Sequence, residues 1–270
     1  MAVSDAPTKA RALYQARHTR VPIAPFTDDD PALGMADGYT IQRELVRLLL
    51  ADGDRVVGHK VGVTSKAMQE LIGIDSPDYG PVLASTVYPD GGTIPLDRFI
   101  APKMEAEIVF VLGRRLQGPG VTVDEARHAI AGAVAEMEIV DSRIADWRIK
   151  LADTVADLAS NGAAVLSDRV VPLDGIDPRL IRMTLRRNGT VIDQGAGSAA
   201  LGDPVAVVAW LANVLGPDGV ALEPGHVIMT GALHAAVPLE PGDEFRADFD
   251  HLGAVTARVA ATDGEAAPAR

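Results

Sequence analysis

Pro102-Lys103-Met104-Glu105-Ala106-Glu107-Ile108-Val109-Phe110-Val111-Leu112, and further along Glu136-Met137-Glu138-Ile139-Val140-Asp141-Ser142-Arg143, read as two buried strands that carry acids. Alternate side chains of an extended chain share a face, so Glu105 and Glu107 point together, away from Ala106, Ile108 and Phe110. Two carboxylates side by side repel. A sheet tolerates them next to an apolar run if a cation sits between them, if one is protonated, or if the pair faces water. A solvated strand face is the plainer reading of the first pair alone. Glu138 alters the balance: it lies in a second apolar strand after one crossover-sized connection, and alongside the first pair it makes a three-carboxylate oxygen site suited to Mg²⁺ or Mn²⁺. Within that connection Thr122-Val123-Asp124-Glu125 has capping-box spacing and starts a helix through Ala126 and Ile130, giving strand, helix, strand.

Upstream, residues 5–50 read as helical, most clearly Tyr39 to Leu50, where Ile41, Leu45, Leu48 and Leu49 share a face and Gly53 provides a stop. Val56 to Val63 is a β-rich run in which Lys60 sits between Gly58 and Gly62. Glycine inside a strand marks a close approach by another backbone or a ligand, although the commoner use of such a lysine is to guard an edge strand. Thr64 or Ser65 then caps a short helix through Leu71, ended by Gly73. Asp75 to Pro81 is a loop by composition, with Asp78 a turn former or a functional loop residue.

Downstream, Ile144 to Gly162 mixes polar and apolar residues without a clean period, as site-building chain does. Met183 to Arg187 and Thr190 to Gln194 flank Asn188-Gly189, a type I′ hairpin signal. Asp203 and Pro204 begin a helix that buries Val207, Val208, Leu211 and Leu215 and ends at Gly216. Strands over 226–230, 244–250 and 254–260 complete the β-rich half.

The chain has 270 residues, is 47% hydrophobic, carries a formal charge of −12 and lacks cysteine. It is long enough for a sizeable core. Disulfides, thiolate metal sites and a cysteine nucleophile are excluded. The negative charge disfavours nucleic acid and anionic membrane surfaces as partners, and a small anionic substrate would need a local positive site such as a metal and a lysine. The first residues lack a basic segment followed by an apolar one, and no uninterrupted apolar run approaches membrane-spanning length, so the expectation is a soluble cytoplasmic protein. Neither a phosphate-binding glycine loop nor a Gly-x-Ser-x-Gly elbow is present. Of the histidines, His18, His128, His226 and His251 read as surface or satisfied positions, and His59 points to the face opposite Lys60.

Gly58-His59-Lys60-Val61-Gly62-Val63-Thr64-Ser65-Lys66, Pro102-Lys103 through Glu107, Glu138 through Arg143, and Asp153-Thr154-Val155-Ala156-Asp157 resemble the 2-hydroxypenta-2,4-dienoate hydratases of the fumarylacetoacetase superfamily, in matching order from about Tyr39 to Val259. The resemblance implies an α+β, mostly β fold with a rolled central sheet. It divides the chain into a helical N-terminal region (1–55), a fumarylacetoacetase-like catalytic domain (56–262) and a disordered tail (263–270). It also implies a homo-oligomer, pentamer or decamer, and admits a complex with a downstream aldolase or a decarboxylase. By position the metal carboxylates fall on Glu105, Glu107 and Glu138, the active-site lysine on Lys60, the loop aspartate on Asp78 and the serine on Ser160, with His234 bordering the pocket. Leu158 departs from an asparagine common in relatives and bears on the hydrogen bonding of Ser160. Glu136 reads as a partly exposed structural neighbour of Glu138.

The implied activity is a hydro-lyase: metal-dependent addition of water to 2-hydroxypenta-2,4-dienoate or a close homologue, giving 4-hydroxy-2-oxopentanoate in aromatic or steroid ring degradation. Lys60 would supply charge beside the enolate or carboxylate, Asp78 would move protons or orient water, and Ser160 would position substrate or water. A 4-oxalocrotonate-type decarboxylase shares the scaffold, but Asp146-Trp147-Arg148-Ile149-Lys150 resembles the hydratases. An acylpyruvate hydrolase tends to need a His-x-x-Glu dyad, whereas Val21 follows His18 and Gly62 follows His59 at that spacing. A non-catalytic partner subunit is the reading from a different class.

Overall fold

A computed structural model of the chain describes residues 5–65, 69 and 76–261. The helix expected to run to Leu71 and Gly73 lies largely outside the described residues, as does the tail expected beyond 262. The N-terminal part folds as α1 (Ala6–Thr19), α2 (Phe26–Asp29) and α3 (Met35–Ala51). α3 buries Ile41, Leu45 and Leu49 at helical spacing, and Gly53 follows at φ 94°, a left-handed conformation that costs glycine little.

The remaining strands are β1 (Val56–Gly62), β2 (Asp78–Leu83), β3 (Val87–Pro89), β4 (Thr93–Ile94), β5 (Lys103–Leu112), β6 (Ile130–Val140), β7 (Asn161–Leu166), β8 (Arg182–Arg187), β9 (Thr190–Ala196), β10 (Val227–Met229), β11 (Val237–Pro238), β12 (Glu244–Phe249) and β13 (Gly253–Val259). Helices α4 (Val123–Ala129), α5 (Leu151–Ala156) and α6 (Pro204–Leu215) lie between them. One sheet of eight strands runs β2-β1-β10-β5-β6-β7-β3, with β11 also on β5, and a second of five runs β4-β13-β12-β8-β9. This is a mixed α+β architecture of two mixed sheets in which helix and strand are about equally represented, less dominated by strands than expected.

Both acidic strands lie at the centre of the larger sheet, and they pair antiparallel with Glu105 opposite Glu138 and Glu107 opposite Glu136. The connection through α4 is therefore not a crossover, which would have made the pair parallel. α4 opens with the expected box: Glu125 N–H donates to Thr122 Oγ1 while Thr122 N–H donates to the Glu125 carboxylate. The other face of these strands (Ala106, Ile108, Phe110, Met137, Ile139) packs with Phe245, Ala247, Val255 and Ala257 of the smaller sheet and with α6 in the main core. Truncating Phe110, fully buried there, to alanine should cost about 3–5 kcal/mol. Asn188 and Gly189 both take positive φ between β8 and β9, as a type I′ turn requires.

The helical stretch 197–218 is long and apolar enough to cross a membrane by length and composition, but it contains α6, whose Val207, Val208, Leu211 and Leu215 are packed into the core.

Candidate active site

Strand alternation and register put four glutamates on one face of β5 and β6. Beyond them on that face Val109 and Val134 join Val82, Ala164 and Met229 in a small apolar cluster. Ligand atoms of Glu105, Glu107 and Glu138 all lie within 4.8 Å of one another.

β1 runs inside the sheet between β2 and β10, so Lys60 is not an edge guard. Its side chain is 5% exposed and its Nζ lies 3.1 Å from Glu138 Oε1. That oxygen also accepts from Asn161 Nδ2 at 3.0 Å, while Glu138 Oε2 is buried with no hydrogen-bond partner among the described residues. Burial pulls the Lys60 ammonium down, but the charges of Glu138, Glu105, Asp78 and Glu107 outweigh it and hold its pKa above the ordinary lysine value. Glu107 Oε2 accepts from the backbone N–H of Gly231 at 2.8 Å.

Burial and the neighbouring charge of Glu138 push Glu105 up to about 7, and the same two causes raise Glu107 well above the usual carboxylate range. The cluster holds more negative charge than one ammonium offsets. A divalent cation fits this donor set: hard oxygen ligands converge, one buried Glu138 oxygen has no partner among the described residues, and a cation would draw Glu105 and Glu107 back to their ionised form.

Two expectations need correction. Asp78 is not in a loop: it opens β2, opposite Gly62 of β1, and is buried. A Cβ at Gly62 would collide with Asp78 Oδ1, so glycine there is what lets the carboxylate into the site. Asp78 Oδ1 has no hydrogen-bond partner among the described residues, and burial, reinforced by Glu138 and opposed by Lys60, raises its pKa. Glu136, expected to be partly exposed, is 0% exposed, because its strand is covered on both faces. Neither of its carboxylate oxygens has a partner among the described residues, and burial with the charges of Glu107 and Glu138 raises it strongly.

The irregular chain after β6 builds the opposite wall. Arg143 is buried and donates from Nε to Asp157 Oδ1 at 2.5 Å, from Nη2 to Asp157 O at 2.8 Å and from Nη1 to Asn161 O at 3.2 Å. Asp153 accepts from Thr27 Oγ1 at 2.6 Å. These residues, part of the motif that carries the resemblance, are scaffolding. They clamp a turn in which Leu158, Ala159 and Ser160 have φ of 56°, 53° and 56°, a left-handed run that costs non-glycine residues about 1–2 kcal/mol each. Gly80 admits the turn, since a Cβ there would strike the Leu158 carbonyl. Leu158 itself is buried in the N-terminal core, and Ser160 takes its side-chain partner elsewhere, with Oγ 3.0 Å from Thr154 Oγ1.

Lys60, Asp78, Glu105, Glu107 and Ser160 line one cavity of about 340 Å³, with Lys103, Trp147 and His234 also on its wall. Glu138 stands behind Lys60. His234 Nε2 accepts from Ala106 N–H at 2.8 Å and Nδ1 lies 2.6 Å from Ala235 O, so the ring is neutral with both nitrogens engaged. Sequence reasoning missed Asn161, whose neighbour Ser160 was the only signal, and the pair formed by Lys103 Nζ 4.2 Å from the Trp147 ring centroid. It also missed the Gly231 amide, for which no side chain gives a signal. His59, on the opposite face, is buried, and burial lowers it to about 4.

Residues 59–260 match the family model for the fumarylacetoacetate (FAA) hydrolase C-terminal domain. The chain belongs to this family. Within it, the chain is 42% identical over 246 residues to a 2-keto-4-pentenoate hydratase of Paraburkholderia xenovorans, covering 91% of each. It is 40% identical to a 2-hydroxyhexa-2,4-dienoate hydratase of Comamonas testosteroni, covering 91% of this chain and 94% of that one. Among solved structures, the 4-oxalocrotonate decarboxylase of Pseudomonas putida G7, complexed with magnesium and adipate, superposes with a TM-score of 0.92 at 35% identity, covering 96% of this chain and 98% of that one.

Proposed function

We propose that the chain is a metal-dependent hydratase that adds water to 2-hydroxypenta-2,4-dienoate, or to a homologue with a short alkyl end, to give the 4-hydroxy-2-oxo acid. The observation that carries the reading is the cavity at which a buried lysine meets a three-carboxylate cluster and faces a further buried acid, Asp78, whose Oδ1 has no partner among the described residues. The names of the family members with 40% identity or more point to the same substrates. Glu105, Glu107 and Glu138 would hold Mg²⁺ or Mn²⁺, which when bound supplies a Lewis acid for the substrate's C1 carboxylate and C2 oxygen.

The protein's own groups do the rest. Lys60, kept protonated by its acids, places a fixed positive charge beside the C2 oxygen, where negative charge grows as the dienol reacts. Asp78, whose raised pKa lets it carry a proton, delivers one at C5 as the C2 hydroxyl proton is lost, then orients the water that adds at C4. Proton return at C3 completes the addition of one water. Ser160 and Thr154 share one proton between their hydroxyls and offer the other to substrate or water. Val140, Ile149, Ala159, Ala232 and Ala236 give the cavity an apolar wall against which the substrate's carbon chain would lie.

We read the enzyme as cytoplasmic and as a homo-oligomer, pentamer or decamer, serving aromatic ring degradation and open to a complex with a downstream aldolase. A decarboxylase is the second reading, favoured by the superposition on 4-oxalocrotonate decarboxylase. Higher identity to hydratases and the Asp146–Lys150 stretch argue for hydration. Incubation of purified protein and Mg²⁺ with 2-hydroxypenta-2,4-dienoate and with 4-oxalocrotonate, following product mass and evolved CO₂, separates them. Efficient CO₂ release without hydration would install the decarboxylase.

A further inference from the structure

A second cavity, of about 280 Å³, shares no lining residue with the acidic one. Its wall is basic on a chain that is strongly acidic overall. Arg17 and Arg20 reach it from the end of α1, Arg98 from the turn Leu96–Arg98, and Arg143 from its floor. Several surface arginines elsewhere pair with an acid, as Arg115 does with Glu223 and Arg258 with Glu244. Arg17, Arg20 and Arg98 have no carboxylate within 4.0 Å among the described residues.

The nearby acids are already engaged. Asp157 is closed on Arg143. Asp141 accepts the backbone N–H groups of Ile100 and Ala101 at 2.8–3.2 Å. Asp54 accepts from the Ser85 hydroxyl at 2.5 Å and its amide at 3.2 Å. The carboxyl end of α1 offers roughly half a negative charge, too little for three guanidiniums. Arg17 registers the imbalance: burial and the charge of Arg143 push it down to about 10 against the pull of Asp157, Asp141 and Asp54. A hydroxyl donor completes the wall, because Tyr88 accepts from Arg98 Nη1 at 3.5 Å and has its own proton uncommitted among the described residues.

We propose that this cavity is an anion site, distinct from the catalytic pocket, built for a small multiply charged oxyanion of the phosphate class. Guanidinium forks suit the tetrahedral oxyanion, and the Tyr88 hydroxyl adds a neutral donor. The size of the cavity admits phosphate or a small phosphomonoester and no extended polyanion. Occupancy would bear on the floor residue Arg143, which holds Asn161 and through it Glu138, so the bound anion should also stiffen that wall.

The test is calorimetric titration of the Mg²⁺-loaded protein with inorganic phosphate and with sulfate at low ionic strength, beside melting curves. Wild type should bind both and melt higher when they are present. Arg98→Ala, at an exposed position, and Arg17→Met, which keeps the packing volume, should each weaken binding about tenfold or more, as the loss of a charge-assisted hydrogen bond predicts. Arg114→Ala, exposed and far from the cavity in the chain's fold, should leave binding unchanged. Absence of binding at millimolar concentrations would overturn the proposal. So would equal weakening in Arg114→Ala, which would mark diffuse attraction, or unchanged binding in Arg98→Ala and Arg17→Met, which would put the anion in the catalytic pocket. Burial of these arginines against a second copy, seen as assembly that breaks up in Arg98→Ala with no anion bound by wild type, would also overturn it.

Discussion

Replacing Lys60 by methionine removes the ammonium and keeps most of the volume. Its Nζ sits 3.1 Å from Glu138 Oε1, with the two side chains 5% and 0% exposed, so in metal-free protein the change leaves buried carboxylates uncompensated. Breaking such a pair costs about 3–5 kcal/mol, which at roughly 2–4 °C per kcal/mol for a domain near this size lowers Tm by roughly 6–20 °C. A bound divalent cation carries twice the charge that was removed, so the Mg²⁺-loaded variant should lose clearly less. Metal affinity should hold or rise, since a competing cation has left. Turnover should nevertheless fall by about 10²–10³, the usual cost of deleting one preorganised charge at a developing oxyanion. Dienol absorbance gives kcat and KM, calorimetry gives the metal affinity, and melts with and without Mg²⁺ give the stability split. Refutation would come from kcat within about threefold of wild type at saturating metal, or from identical loss of Tm in the two forms.

Chelation should abolish turnover and Mg²⁺ or Mn²⁺ should restore it; full activity in protein shown metal-free by elemental analysis would discard the three-glutamate site. Glu105→Gln should weaken metal binding while circular dichroism and the melting transition persist, because the apolar face of β5 still packs in the core. In metal-free protein Glu105 titrates near 7, above its value of about 4.3 in an unfolded chain. The folded state then holds the extra proton, so stability should fall as pH rises from about 4.3 towards 7, and metal affinity should climb over the same window as the proton leaves; a pH-independent affinity would contradict this. Arg143→Met should cost about 3–5 kcal/mol by stranding buried Asp157, and the loss should shrink in the double variant with Asp157→Leu, a non-additivity that a double-mutant cycle in urea reads directly.

Sequence periodicity by itself determined that Glu105 and Glu107 share a face, that an apolar face lies behind them, that Thr122 caps a helix and that Asn188-Gly189 turns a hairpin. These depend on local geometry: the two-residue repeat of a strand, the reach of a capping side chain, the φ that a turn demands. The pattern also brought Glu138 into a three-carboxylate site and picked out Lys60 and Asp78 with their plainer readings beside them, and the resemblance gave these residues their roles and added Ser160. What only the tertiary structure decided depends on partners distant in the chain. Whether β1 is an edge or an interior strand follows from the docking of β10, which has no trace in the sequence around Lys60, and that docking turns a plausible surface lysine into a buried cation. Asp78 looked like a turn former because its neighbours are Ser76, Pro77 and Gly80, yet pairing with Gly62 draws it into a strand. Glu136 looked half-exposed because glutamate is costly to bury; the register that sets it opposite Glu107, under a layer covered on both faces, overrode that preference. Burial, and with it the charge state of every acid in the site, is a property of what packs on top, and local sequence does not encode it.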